Sequence, residues 1–359
     1  MSRFLLFSDV HVHPHKNNNS RLKDCLKALD WVFDTAVKEN VDAIMFGGDL
    51  LHDRQKIDSL TYMETFKIFE KYEKQKFHVY LLLGNHDLWF GNSTRISSTY
   101  PFGALANFTV VDTTQSKSIC GANWHFLPYT HDPIEELQRL PAQEMPNSYL
   151  LGHLSIDGAR LNSAGSIADI SIESDGDMVK IGPNLFKTYK HAFFGHYHGA
   201  QKLASNIEYI GSPLQLSFGE ANEDKHIILL DSENNQLQYI KNDFSPKHFY
   251  LTENDYKDFD KEMLQNAFVD ITINDLSDIK LKKDLEKFTE SVGISTIRVR
   301  AESKQTGEHS VSDVKKILSD EKRLLENYLD QQDVIDLDRN VLLDIGRKII
   351  SHSESEGFK

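Results

Sequence analysis

Five times along this chain a short apolar run ends in a loop carrying side chains that can bind metal or move protons. Val79-Tyr80-Leu81-Leu82-Leu83 leads into Gly84-Asn85-His86-Asp87. Phe4-Leu5-Leu6-Phe7 leads into Asp9-Val10-His11, and Ala43-Ile44-Met45-Phe46 into Gly47-Gly48-Asp49. Tyr149-Leu150-Leu151 leads into Gly152-His153, and Ala192-Phe193-Phe194 into Gly195-His196-Tyr197-His198. Apolar runs of this length that stop at a turn residue read as buried strands entering tight loops. Open α/β sheets build their sites at the C-terminal ends of such strands. The pattern therefore predicts an α/β fold with its chemistry at one sheet edge.

The first 90 residues spell out the alternation. Residues 3 to 8 read as a strand, and the loop that follows holds His13, Pro14, His15 and three asparagines. Ser20 reads as a helix cap. Leu22, Cys25, Leu26, Leu29, Val32, Phe33, Ala36 and Val37 then recur at helical spacing, which predicts a helix over 21–39. Strands are expected at 43–47 and 78–83, with a second helix between them carrying Met63, Phe66, Ile68 and Phe69. This order implies parallel pairing through crossovers. Further strands are expected at 119–128, 149–151, 192–194 and 207–210, and a hairpin over 227–240. The Gly-, Ser- and Asp-rich stretch 155–182 reads as an excursion between ligands. After residue 245 the texture changes to a small β-α-β module, with strands at 268–273 and 297–300 around a helix at 279–291. Two more helical patterns follow a polar segment.

Composition narrows the class. With 359 residues, 40% of them hydrophobic, the chain can bury the core of two or three domains. No apolar run approaches a membrane span, and Met1-Ser2-Arg3-Phe4 runs straight into a strand rather than a signal peptide. Two cysteines exclude a thiolate zinc site by count and fit a reducing cytoplasm. Cys25 reads as a buried thiol on a helix face. A net charge of −14 argues against broad nucleic-acid binding, but bound divalent ions and a local basic rim can offset it.

The ligand-type residues are Asp9, His11, Asp49, Asn85, His153, His196 and His198. All offer nitrogen or oxygen, which suits Mn²⁺, Fe²⁺ or Zn²⁺ rather than Cu(I), with Mg²⁺ also accommodated. Seven are too many for one ion and about right for two. Asp49 is the natural bridge, with an oxygen for each ion. Asp9 and His11 alternate on an extended loop and can face one ion, and His196 and His198 are expected to do the same. His86 is not needed as a ligand and is assigned to phosphate contact and leaving-group protonation.

Taken in order, Asp9-x-His11, Gly48-Asp49, Gly84-Asn85-His86-Asp87, Gly152-His153 and Gly195-His196-x-His198 resemble the calcineurin-like metallophosphoesterases over about residues 1–220. The resemblance implies a two-metal phosphoester hydrolase with a β sandwich flanked by helices. Phosphatases of that superfamily follow Gly-Asp with a loop bearing Asp-Arg-Gly, whereas this chain has Leu50-Leu51-His52-Asp53-Arg54-Gln55. His52, Tyr209-Ile210-Gly211-Ser212-Pro213 and Phe218-Gly219-Glu220 are similar to the SbcD nuclease family, in which the histidine positions a DNA phosphate. The compact length is similar to phage recombination endonuclease subunits. One departure is His13-Pro14-His15, where SbcD-like proteins continue with Leu-Gly.

That resemblance implies a nuclease domain over 1–245, a small α+β DNA-capping domain over 246–302 and C-terminal partner-binding helices over 311–351. It also implies a DNA substrate, two divalent ions with Mn²⁺ foremost, an SbcC-like coiled-coil ATPase partner and a homodimer formed through about 57–72 and 89–107. Arg54 and Arg95 are expected to contact DNA, although scattered charges are commonly a solvated face. His13 and His15 read as surface residues, and His125, His131 and His191 as structural ones. The competing readings are a small-molecule or cyclic-nucleotide phosphodiesterase on the same scaffold, and a protein-binding scaffold that has kept its ligands.

Overall fold

In the computed structural model, strand and helix alternate as the apolar pattern demands. The described residues are 2–14, 19–89, 96–141, 147–160, 171–174, 177–275, 277 and 279–301. Arg95, His15 and the helices expected over 311–351 lie outside them. In chain order come β1 (Arg3–Phe7), α1 (Asn19–Lys38), β2 (Ala43–Phe46), α2 (Ser59–Tyr72), β3 (His78–Leu82) and β4 (Phe108–Val111). Then follow β5 (Gln115–Ile119), β6 (Ala122–Leu127), α3 (Pro133–Gln138), β7 (Ser148–His153) and the hairpin β8 (Ser171–Ser174) and β9 (Asp177–Lys180). The body closes with β10 (His191–Gly195), β11 (Gln201–Ala204), β12 (Ile207–Tyr209), β13 (His226–Asp231) and β14 (Gln236–Lys241).

Two six-stranded sheets result, ordered β14-β13-β1-β2-β3-β4 and β11-β12-β10-β7-β6-β5. β1, β2, β3 and β4 pair in parallel, as do β6, β7, β10 and β12. Successive side chains alternate between faces, so each central strand feeds two cores. Phe4, Leu6, Met45, Tyr80 and Leu82 of the first sheet meet Trp124, Phe126, Tyr149, Leu151 and Phe193 of the second. Leu5, Phe7, Ile44, Phe46, Val79 and Leu81 face α1 and α2 on the outside. Leu150, Ala192 and Phe194 pack beneath Ile156, Ile181 and Phe186 on the far side. This is the helix-flanked β sandwich.

α1 buries Leu22, Cys25, Leu29, Val32, Phe33 and Ala36, but Val37 at its edge is exposed. Ser20 lies inside the helix rather than at its cap. Asn40 ends it in the left-handed region, φ +49, and the Val41 N–H returns to the Ala36 carbonyl. Asp58 caps α2 by accepting from the Thr61 N–H at 2.9 Å. α2 buries Phe69 and Tyr72, whereas Met63 is exposed.

Beyond the sandwich lie β15 (His248–Thr252), α4 (Lys261–Leu264), β16 (Phe268–Ile273), α5 (Ile279–Val292) and β17 (Thr296–Ala301). The three strands form one parallel sheet, with α5 on one face. The described residues belong to a single compact unit, Met1–Ala301. Among them no helix is long and apolar enough to cross a membrane.

Candidate active site

Loops after β1, β2, β3, β7 and β10 meet at one end of the sandwich. The first two run side by side. The Asp9, His11 and Val12 N–H groups donate to the Gly48, Asp49 and Leu50 carbonyls at 2.9, 3.1 and 2.8 Å. Gly48 has φ +101, and a Cβ there would lie 2.7 Å from the Gly84 nitrogen, so glycine is required for the close approach of the β2 and β3 loops. Asp87 staples those loops. Its carboxylate, 1% exposed, accepts from the backbone N–H groups of Asp49, Leu50 and Gly84 at 2.8, 3.0 and 2.8 Å. Burial, reinforced by the Asp49 charge, pushes its pKa up to about 7 against those three donors. Asp9, His11, Asp49 and His196 all have positive φ, at 55°, 45°, 61° and 102°. Backbone held there in non-glycine residues is strain that the packed loops must support.

Two clusters form. Asp9, His11 and His198 make the first, and Asp49, His153 and His196 the second, with the nearest ligand atoms within 4.8 Å of one another in each. Asn85 joins the second: its Oδ1 lies 3.1 Å from His153 Nε2 and 2.9 Å from His196 Nδ1. Asp49 sits between them through a single oxygen. Oδ2 is 3.5 Å from His11 Nε2 and 3.4 Å from His153 Nε2, while Oδ1 accepts from the His86 N–H at 2.7 Å. Asp9 and His11 fall together as expected. His196 and His198 do not: they go to different clusters.

The donor set fits divalent metal. His153 Nδ1–H donates to the Gly47 carbonyl at 2.7 Å, which leaves Nε2 as a lone pair facing Asp49 Oδ2 and Asn85 Oδ1. Acceptors aimed at acceptors repel unless a cation lies among them, either a proton on Nε2 or a metal ion that replaces it. Burial opposes protonation of His153, but the Asp49 carboxylate outweighs it and raises the pKa to about 9. Burial alone would raise Asp49, yet the His153 ring holds it well below the usual carboxylate range. Burial, with His153 adding to it, depresses His196 to about 3, and burial lowers His11 well below its ordinary value, so both rings keep free lone pairs. A similar support stands behind His198. Its Nδ1 lies 3.0 Å from Glu220 Oε1, and Glu220 Oε2 meets Lys225 Nζ at 2.7 Å and accepts from Ser212 Oγ at 3.1 Å.

His86 and His52 flank the clusters. His86 Nδ1 contacts the His52 carbonyl at 2.5 Å, which fixes the ring beside those of His11 and His52. The His11 and His86 ring centroids are 4.7 Å apart, and those of His52 and His86 5.4 Å. Burial, then the neighbouring His13 ring, lowers the pKa of His52. His13 pairs with Asp53 at 3.0 Å, and Arg54 is exposed in the same loop. His125 and His191 are buried against Tyr189 and Glu208. His131 is exposed and lies beside Tyr129, whose ring stacks near His196. A cavity of about 240 Å³ opens beside His196 and His198, walled by Arg160, Ser217, Gly219 and Glu220. A larger one, about 540 Å³, lies between α1 and α4 and holds none of these ligand-type residues, so size does not locate the chemistry.

Asp87, Lys225 and the support that Glu220 lends His198 escape sequence reasoning. Asp87 and Glu220 stand inside quoted motifs, but their work depends on partners far along the chain. The model of the Calcineurin-like phosphoesterase family matches residues 2–200. Exonuclease subunit 1 of Enterobacteria phage T4 is 25% identical over 319 residues, covering 84% of this chain and 85% of that protein. The SbcD subunit of the SbcCD nuclease of Escherichia coli (strain K12) is 25% identical over 279 residues, 67% of each. Its namesake in Staphylococcus epidermidis is 24% identical over 291 residues, 72% of this chain and 74% of that one. A family match spanning the residues that supply every ligand of both clusters agrees with the architecture and with the donor chemistry, and the chain belongs to the calcineurin-like phosphoesterase family.

Proposed function

We propose that this chain is a two-metal DNA nuclease subunit that cuts phosphodiesters at double-stranded ends. The observation that supports it is the pair of acceptor-lined clusters sharing Asp49 Oδ2, with His86 and His52 beside them. Asp9, His11 and His198 would hold one ion and Asn85, His153 and His196 the other, with Asp49 between. Mn²⁺ suits these oxygen and nitrogen donors. When bound, two such ions would supply positive charge to hold a phosphoryl group and to lower the pKa of a nearby water. The chain's own residues do the rest. Asp87 and Gly84 hold the Asp49 and Asn85 loops in register. The His52 carbonyl fixes the His86 ring, so that Nε2 can carry a proton to the leaving oxygen. His52 and Arg54 lie on the loop that meets the flanking phosphate.

The reading extends to assembly. Relatives carry the names of a subunit of the SbcCD nuclease and a phage exonuclease subunit. We take the partner to be an SbcC-like ATPase, residues 246–302 to be a DNA cap, 311–351 to bind the partner, and the complex to work in the cytoplasm. Leu60, Met63, Ile96 and Tyr100 are large, exposed apolar side chains on α2 and on the segment between β3 and β4. They suit a second copy of this chain.

The test is Mn²⁺-dependent degradation of end-labelled duplex DNA by the wild type, His86→Ala and Asp49→Ala. We expect His86→Ala to lose about 10²–10⁴-fold in rate and Asp49→Ala to be inactive. Hydrolysis of bis(p-nitrophenyl) phosphate without any cutting of DNA, even with the ATPase present, would overturn the nuclease reading in favour of a small-molecule phosphodiesterase.

A further inference from the structure

The sheet of β15, β16 and β17 has one face under α5, where Phe249, Leu251, Val269 and Ile271 are packed. Register sets three rows on the opposite face: His248, Phe268 and Thr296; Tyr250, Asp270 and Arg298; Thr252, Thr272 and Arg300. His248 and Phe268 of the first row are docked on the sandwich, and Thr296 at its end is exposed. The Phe218 ring lies 4.9 Å from His248, and the Arg21 guanidinium 5.3 Å over Phe268. The other two rows open to solvent. Tyr250 is 50% exposed, and the side chains of Arg298 and Arg300 are 62% and 44% exposed.

These three side chains are organised rather than scattered. Asp270, 1% exposed, accepts from Arg300 Nε at 2.7 Å and lies 3.6 Å from Arg298 Nε. The Arg300 guanidinium stands 5.7 Å from the Tyr250 ring centroid. One buried carboxylate under two guanidiniums leaves this face with an excess of positive charge on a chain whose net charge is −14. Threonine fills the remaining open positions, so the face offers one aromatic plane and hydrogen-bonding groups, not an apolar surface for a protein. It is also continuous with the candidate site. Phe218 reaches Tyr250 at 5.5 Å, and its neighbours Ser217, Gly219 and Glu220 wall the cavity beside His198.

We propose that this face is a stacking platform for an unpaired DNA strand passing the candidate site, with Tyr250 taking a base and Arg298 and Arg300 the phosphates. The proposal rests on the nuclease reading. An aromatic plane stacks on any base, and arginines beside it neutralise the backbone, so such a platform holds a frayed end without reading its sequence.

Fluorescence anisotropy of labelled oligo(dT) with the full-length protein in EDTA tests it. We expect Tyr250→Ala to bind about 5-fold or more weakly and Tyr250→Phe to bind like the wild type. An abasic oligonucleotide should bind the wild type and Tyr250→Ala alike. Arg298→Gln should flatten the salt dependence of log K by about 0.7. If Tyr250→Ala melts early, Tyr250→Leu, which keeps bulk without a π face, carries the same comparison. Equal oligo(dT) binding by the wild type and the non-aromatic variant overturns the platform alone, provided the wild type cuts DNA. A wild type that hydrolyses bis(p-nitrophenyl) phosphate but neither binds nor cuts DNA overturns the platform and the nuclease reading together.

Discussion

At the scale of single residues, the candidate site divides into side chains that face a ligand and side chains that aim them. Glu220 is the clearest of the second kind. It orients His198 through Nδ1, accepts from Ser212, and is the partner of Lys225, which is itself buried. Glu220→Ala would remove the carboxylate from all three. We expect a stability loss of about 3 kcal/mol, the low end for breaking a buried pair, because Glu223 still accepts from Lys225 at 3.0 Å. Mn²⁺ affinity should fall about 10–100-fold, as for other lost partners of metal-binding histidines, and Glu220→Gln should recover part of it. Urea unfolding and calorimetric Mn²⁺ titration read the two effects, and unchanged affinity in Glu220→Ala would deny Glu220 its positioning role. The meeting of the ligand-type residues at one end of the sandwich is legible because residue type and strand-end position are local features. The split of His196 from His198 is not, since it depends on where loops far apart in sequence bring Asp9, His11, Asp49 and His153.

At the scale of elements, legibility followed hydrophobic contrast. β1, β2, β3 and α1 were readable because buried parallel strands are continuously apolar and an amphipathic helix is not. β5 (Gln-Ser-Lys-Ser-Ile) and β11 (Gln-Lys-Leu-Ala) were missed because each is a sheet edge with a largely polar sequence. β4 sits among serines and threonines, and β15 falls where the texture changes; both owe their strand state to the neighbour they pair with. What the elements achieve jointly is the contact of the β2 and β3 loops at Gly84. A Cβ at Gly84 would meet the Asp49 nitrogen at 2.6 Å and His153 Cε1 at 2.7 Å, so backbone would have to move. Gly84→Ala should therefore cost about 1–3 kcal/mol as overpacking and displace Asp49 from between the clusters. A lower urea midpoint together with lost Mn²⁺ binding is the expected result. A variant as stable as the wild type and able to bind Mn²⁺ would show that the loops do not need this approach.

At the scale of the whole molecule, a chain of net charge −14 folds around a centre where carboxylate, amide and imidazole lone pairs converge. Without cations that centre is held by protonating His153 and by the Asp87 and Glu220 networks around it. Divalent ions bind the folded arrangement and not the unfolded chain, whose ligands are far apart in sequence. Each site should then stabilise the fold by about 2.7 kcal/mol when free metal is a hundredfold above Kd. At about 2.1 cal/mol/K per residue, 1 kcal/mol corresponds to about 1–2 °C for a chain of 359 residues, so two filled sites predict a melting point about 7 °C higher in Mn²⁺ than in EDTA. Asp49→Ala should lose most of that increment, because its Oδ2 faces both clusters. Scanning calorimetry of the two proteins with and without Mn²⁺ measures it directly. Identical melting of the wild type in Mn²⁺ and EDTA would mean that the clusters hold no metal and that their charge is structural. A full increment in Asp49→Ala would mean that the ions bind without a shared carboxylate.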